Sequence, residues 1–203
     1  MSPLELETPH GPARAHVNPV PDPVAALVLG HGAAGGVAAR DLAAAAEVAR
    51  AARIAVALVE QPYRVAGRRS PAPAHQLDAA WIAVIGQLRA GALRDGPLIA
   101  GGRSSGARVA CRTVEETGAT GVLCLAFPLH PPGRPDKSRQ PELDAVAVPT
   151  LVVQGERDPF GRPAAGPRRE VVIVPSTHSF TPRLEGLAAA VGGWLARLVA
   201  PAG

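Results

Sequence analysis

Five residues, Gly102-Arg103-Ser104-Ser105-Gly106, carry the strongest chemical signal in this chain. They form the pattern G-x-S-x-G, which holds a serine on a turn so sharp that the flanking positions must be nearly free of side chain. A pattern this short recurs by chance in a chain with 22 glycines, so its context decides its weight. The apolar stretch Pro97–Ala100 precedes it and the helix-like Ala107–Cys111 follows it. That is the strand-turn-helix arrangement in which a serine hydroxyl is presented at the carboxyl end of a sheet. Ser104 is the candidate nucleophile; Ser105 fails because Arg103 stands two residues before it.

A serine hydroxyl attacks a carbonyl only when a base takes its proton. The base is expected after Ser104, preceded by an acid that orients it. Two histidines follow, His130 and His178, and His178 stands just beyond the apolar run Val171–Val174. Among Asp136, Asp144 and Asp158, the last closes a turn after Leu151-Val152-Val153-Gln154-Gly155, and Glu156 is the alternative acid. A tetrahedral oxyanion also needs donors. The small-residue stretch Gly30-His31-Gly32-Ala33-Ala34-Gly35-Gly36 lets backbone amides approach a substrate, and Ala33 N–H and Ser105 N–H are the expected pair. The stretch begins like a dinucleotide loop but does not complete G-x-G-x-x-G, and Lys137, the one lysine, is remote from any P-loop pattern. Four further residues are candidates for substrate contact: His31, Gly32, Arg103 beside the nucleophile, for an anionic group, and His130 in a proline-rich loop.

The elements that must position these groups are visible as short apolar runs bounded by Gly or Pro. Val24–Leu29, Ile54–Val59, Pro97–Ala100, Val122–Phe127, Thr150–Val153 and Val171–Val174 are mostly continuous rather than alternating, as in strands buried on both faces. Helix-like segments at Val37–Arg53, Ala74–Ala90, Ser104–Thr117 and Leu184–Val199 separate or follow them. Leu4–Thr8 and Ala13–Asn18 alternate better and flank His10-Gly11-Pro12, as an antiparallel hairpin would. The expectation is an α/β fold of eight mostly parallel strands with helices on both faces, in one domain spanning residues 1–203. Pro128–Pro149 is the one long connection, stiffened by six prolines, with at most a turn of helix near Glu142–Val146.

Composition excludes several classes. Of 203 residues, 47% are hydrophobic and 19% charged, which does not fit a disordered chain. No apolar stretch approaches the length of a membrane span. The start, Met-Ser-Pro-Leu-Glu-Leu-Glu, is unlike a secretory signal, so a cytoplasmic location is expected. Cys111 and Cys124 are too few for a disulfide scaffold, and no Cys/His cluster points to a metal. The net charge of +4 comes from scattered arginines with only 3% aromatics, which argues against a nucleic-acid surface.

Taken together, Leu29–Gly36, Gly101–Gly106, Phe127–Gly133 and Gln154–Gly161 resemble the α/β-hydrolases, specifically a small cap-less branch that is dienelactone-hydrolase-like. The chain is also similar to the hydrolase-like subunit of the nonspecific-lethal acetyltransferase complex. The resemblance runs from the hairpin to the last helix. It implies Ser104 as nucleophile, Asp158 as acid, His178 as base, and Ala33 with Ser105 as oxyanion donors. It further implies a serine hydrolase of small esters or thioesters that requires no metal or organic cofactor; a non-catalytic binding module on the same fold is the alternative. True dienelactone hydrolases carry cysteine at the elbow, so their substrate does not transfer. No cap is inserted after the sixth strand, where only the loop Phe127–Pro149 is available.

Overall fold

The structure is a computed structural model that describes residues 3–181 and 184–200. Eight strands form one sheet: β1 (Leu4–Leu6), β2 (Ala13–Asn18), β3 (Ala25–Gly30), β4 (Ile54–Glu60), β5 (Leu98–Arg103), β6 (Gly121–Leu125), β7 (Thr150–Gly155) and β8 (Arg169–Val174). Their order is β1-β2-β4-β3-β5-β6-β7-β8, with the β1–β2 and β2–β4 pairs antiparallel and the other five pairs parallel. Among the described residues seven α-helices accompany them: α1 (Arg40–Ala51), α2 (Pro62–Val65), α3 (Ala74–Ala90), α4 (Ser105–Arg112), α5 (Val114–Thr117), α6 (Gln140–Asp144) and α7 (Glu185–Leu198).

Side-chain alternation divides the core between the two faces of the sheet. Leu27, Leu29, Ile99, Leu123 and Leu151 pack with Leu42 of α1 and Trp194 and Leu195 of α7. Val28, Ala100, Val122 and Cys124 pack with Trp81, Val84 and Leu88 of α3 and Val109 and Ala110 of α4. Trp81 and Leu27 are almost wholly buried; each such side chain stabilises the fold by roughly 1.5–3 kcal/mol. Apolar residues therefore occupy both registers of the central strands, which explains their continuous hydrophobic runs.

Three departures from the sequence-based boundaries have local causes. β5 continues through Gly101 and Gly102 to Arg103, past the end of its apolar run, because paired strands on both sides carry it. The helix expected over Ser104–Thr117 is divided at Thr113, whose hydroxyl donates to the Val109 carbonyl. The long connection holds a 3-10 turn at Pro135–Lys137 and α6, which is tied to α4 by Arg108–Glu142 and Arg112–Glu142 ion pairs.

The chain leaves β3 towards β4 on one side and leaves β5 towards β6 on the other. Such a reversal opens a crevice beyond the carboxyl ends of the two strands. The loop after β3 and the elbow after β5 face each other there.

Candidate active site

Glycine makes the elbow possible. A Cβ on Gly102 would lie 2.5 Å from Gly30 O and 2.8 Å from Gly106 C, and one on Gly106 would lie 2.6 Å from Gly30 C. The backbones of β3, β5 and the start of α4 thus touch directly, with no room for a methyl group. Ser104 takes φ 51 and ψ −109, a strained conformation for a residue with a side chain, and its N–H donates to Leu125 O at 2.9 Å. α4 starts at the next residue.

Ser104, Asp158 and His178 come together. His178 Nε2 lies 3.0 Å from Ser104 Oγ, and His178 Nδ1 lies 2.8 Å from Asp158 Oδ2. An ionised carboxylate can only accept, so Nδ1 carries the ring proton and Nε2 is left to accept from the hydroxyl. The Asp158 side chain is fully buried. Its charge is met by further donors: Phe160 N–H to Oδ1 at 2.8 Å and Gln154 Nε2 to Oδ2 at 2.8 Å. Gln154 Nε2 also lies near Phe127 O (3.1 Å) and Gly161 O (2.8 Å), so one buried amide ties the ends of β6 and β7 to the acid. The Phe160 ring lies against the His178 ring, centroids 4.3 Å apart. Glu156, the alternative acid, is exposed, and Asp158 makes the contact instead.

The loop after β3 lies against the nucleophile, since a Cβ on Gly32 would be 3.6 Å from Ser104 Cβ. Neither Ala33 N–H nor Ser105 N–H donates to a protein acceptor among the described residues. Gly32 O, in the same peptide unit as Ala33 N–H, is fixed by Gly35 N–H and by the His31 ring, and Tyr63 Oη donates to Ala33 O. The carbonyls are thereby held on the side of the loop away from the free amides.

The four residues expected to touch substrate, His31, Gly32, Arg103 and His130, all have protein partners in this structure. His31 is 3% exposed, with Nδ1 at 2.9 Å from Gly32 O and Nε2 accepting from Gln61 N–H at 3.2 Å. Both ring nitrogens are occupied, so the side chain supports the loop; burial also lowers its pKa. Arg103 turns inward to Asp41, Nε to Oδ2 at 2.7 Å, because a largely buried guanidinium needs a countercharge. Gly32 contributes clearance only. His130 is held as part of the loop: its N–H donates to Phe160 O, its Nδ1 faces Pro131 O, and its ring covers Gly161. Asp41, Tyr63, Gln154 and Phe160 were not singled out from the sequence.

A model of the alpha/beta hydrolase domain matches residues 23–183. The chain belongs to the α/β-hydrolase family. This hydrolase resembles a lidless α/β serine hydrolase from Xanthomonas campestris, with TM-score 0.79, 23% identity, and coverage of 100% of this chain and 96% of that one. Est1E from Butyrivibrio proteoclasticus gives TM-score 0.78 at 14% identity over 98% and 99% of the two chains. A dienelactone hydrolase from Anabaena variabilis gives 0.74 at 16% identity over 97% and 96%. A search of curated proteins finds no significant match. Among the described residues of this hydrolase, no helix is long and apolar enough to cross a membrane. No group of three or more His, Cys, Asp or Glu there could hold a metal ion.

Proposed function

We propose that the chain is a serine hydrolase that cleaves small ester or thioester substrates through an acyl-enzyme. The observation that carries this is the hydrogen-bonded series Ser104 Oγ, His178 and Asp158, at 3.0 and 2.8 Å. Ser104 Oγ attacks the carbonyl carbon while His178 Nε2 takes its proton. Asp158 stabilises the imidazolium that forms, and the oxyanion is met by Ala33 N–H and Ser105 N–H. His178 then gives the proton to the leaving alcohol or thiol as the tetrahedral species collapses. Water, deprotonated by the same ring, attacks the acyl-enzyme, and the ring returns that proton to Ser104 Oγ as the acyl–oxygen bond breaks and the carboxylic acid leaves. Est1E, one of the structural neighbours, has been solved with ferulic acid bound, which is a member of that product class.

The test is incubation with a fluorophosphonate followed by intact-mass measurement. One adduct is expected on the parent protein and none on Ser104→Ala. A folded parent that takes up no label would refute the proposal and favour a non-catalytic binding module.

A further inference from the structure

From the last position of the nucleophile's strand, Arg103 contacts α1, the base's loop and the loop after β3 with one planar group. Its Nε donates to Asp41 Oδ2 at 2.7 Å. Its Nη2 donates to the His178 carbonyl at 3.2 Å and lies 3.4 Å from Ser179 Oγ. Its Nη1 packs on Gly32, where a Cβ would come within 2.8 Å of it. Asp41 is itself fixed: it is 3% exposed in the first turn of α1, and its Oδ1 accepts from Leu42 N–H at 2.9 Å. With the carboxylate immobile, the guanidinium plane is immobile, and with that plane the direction in which Nη2 points.

A buried ion pair is a weak stabiliser, because desolvation offsets most of the attraction. The geometry it imposes here is specific, since the acceptor is the backbone carbonyl of the base itself. Apart from the His178 Nε2–Ser104 Oγ contact itself, the other hydrogen bonds of this loop among the described residues run to its own residues or to the turn after β7, as with Ser176 Oγ to Thr181 O, Phe180 N–H to Thr177 O, and Arg157 N–H to Ser176 O. Arg103 joins the loop to β5, the strand that ends at Ser104.

We infer that Arg103, oriented by Asp41, is a positioning residue that latches the His178 backbone to the nucleophile's strand and so sets the separation of Ser104 Oγ and His178 Nε2. This rests on the proposed roles of Ser104 and His178. Arg103 touches neither substrate nor the reacting atoms, so its effect passes through the base.

The experiment is a double-mutant cycle on the full chain with 4-nitrophenyl acetate, after fluorophosphonate labelling of the parent. Arg103→Met is expected to lower kcat about 10–100-fold with little change in KM, the size of effect that follows a small misplacement of a catalytic group. In a His178→Ala background the same substitution is expected to change the residual rate less than about twofold, because residues acting as one unit are not additive. Arg103→Lys, which keeps the charge but not the fork, falls between. Asp41→Asn retains the side-chain shape and the oxygen that accepts from Leu42 N–H. It is expected to lower kcat in the same direction by less, and it serves if Arg103→Met does not fold.

Three results would overturn the inference on an active parent: an unchanged kcat in a variant with lowered Tm, a raised KM at constant kcat, or an undiminished penalty in His178→Ala. An unlabelled parent would instead remove the hydrolase assignment, and the inference with it.

Discussion

Gly106→Ala adds a single methyl group at one of the tightest backbone crossings among the described residues. The new Cβ would stand 2.6 Å from Gly30 C and 2.9 Å from His31 O, both backbone atoms that no rotamer change can move. Ordinary contact for such a carbon begins near 3.4 Å, so the start of α4 and the end of β3 must part by almost an ångström. These two segments carry Ser105 N–H and lead into Ala33 N–H, so the donors separate by a similar amount. Misplacement on that scale costs on the order of 100-fold in rate. Overpacking costs about 3 kcal/mol at its upper range, which in a chain of this length lowers Tm by roughly 6–12 °C. Gly86→Ala is the control: Gly86 is exposed in the middle of α3, and a Cβ there meets nothing within 4 Å. It removes the helix penalty of glycine, so Tm rises by about 2–4 °C with activity unchanged. The assays are 4-nitrophenyl acetate turnover and thermal denaturation followed by circular dichroism. Gly106→Ala with kcat within about threefold of the parent and an unshifted Tm would refute the steric account of the elbow.

Gln154→Leu takes a donor from Asp158 Oδ2, Phe127 O and Gly161 O at once. Leaving buried acceptors unmet costs about 1–3 kcal/mol, and kcat is expected to fall several-fold, read by the same two assays. His31 supplies a pH dependence with a defined sign. Burial holds its pKa in the folded state below the ordinary 6.5, with Arg64 lowering it further and Glu60 and the bond to the Gly32 carbonyl opposing. Above 6.5 both states are neutral and stability is full; as pH falls below it the unfolded chain takes up a proton that the folded one resists, and stability declines. The parent should therefore lose more Tm than His31→Asn between pH 7.5 and 5.5, and equal losses would show that His31 does not control it.

Much of the sheet was legible because its strands are short, apolar on both faces and punctuated by Gly and Pro. What escaped were places where pairing, not side-chain character, decides: Gly101-Gly102-Arg103 extends β5, and Arg169-Glu170 begins β8. α2 was missed because four residues cannot establish a helical period. Ser104, Asp158 and His178 were readable because each has a distinctive type and a place after a strand. The supporting side chains have no such signature. Gln154 reads as one more residue of a strand, and Asp41 as an acidic first turn of a helix; their partners lie far away in sequence. His31 and Arg103 were noticed for their neighbourhood, but their partners, Gln61 and Gly32 for one and Asp41 for the other, were not legible, since sequence places a residue beside a site without saying which side of the backbone its atoms occupy.

The long connection leaves the sheet from β6, between the strands that precede Ser104 and Asp158, and returns as β7. β6 and β7 are parallel, so the connection leaves at the carboxyl edge of the sheet, beside the candidate triad, and crosses to the opposite edge before β7 begins. A longer segment grafted beyond His130, past the ties of Phe127 O to Gln154 and of His130 N–H to Phe160 O, would overhang the crevice. New selectivity is therefore accessible by exchanging one stretch of chain, with the rest of the architecture left as it stands.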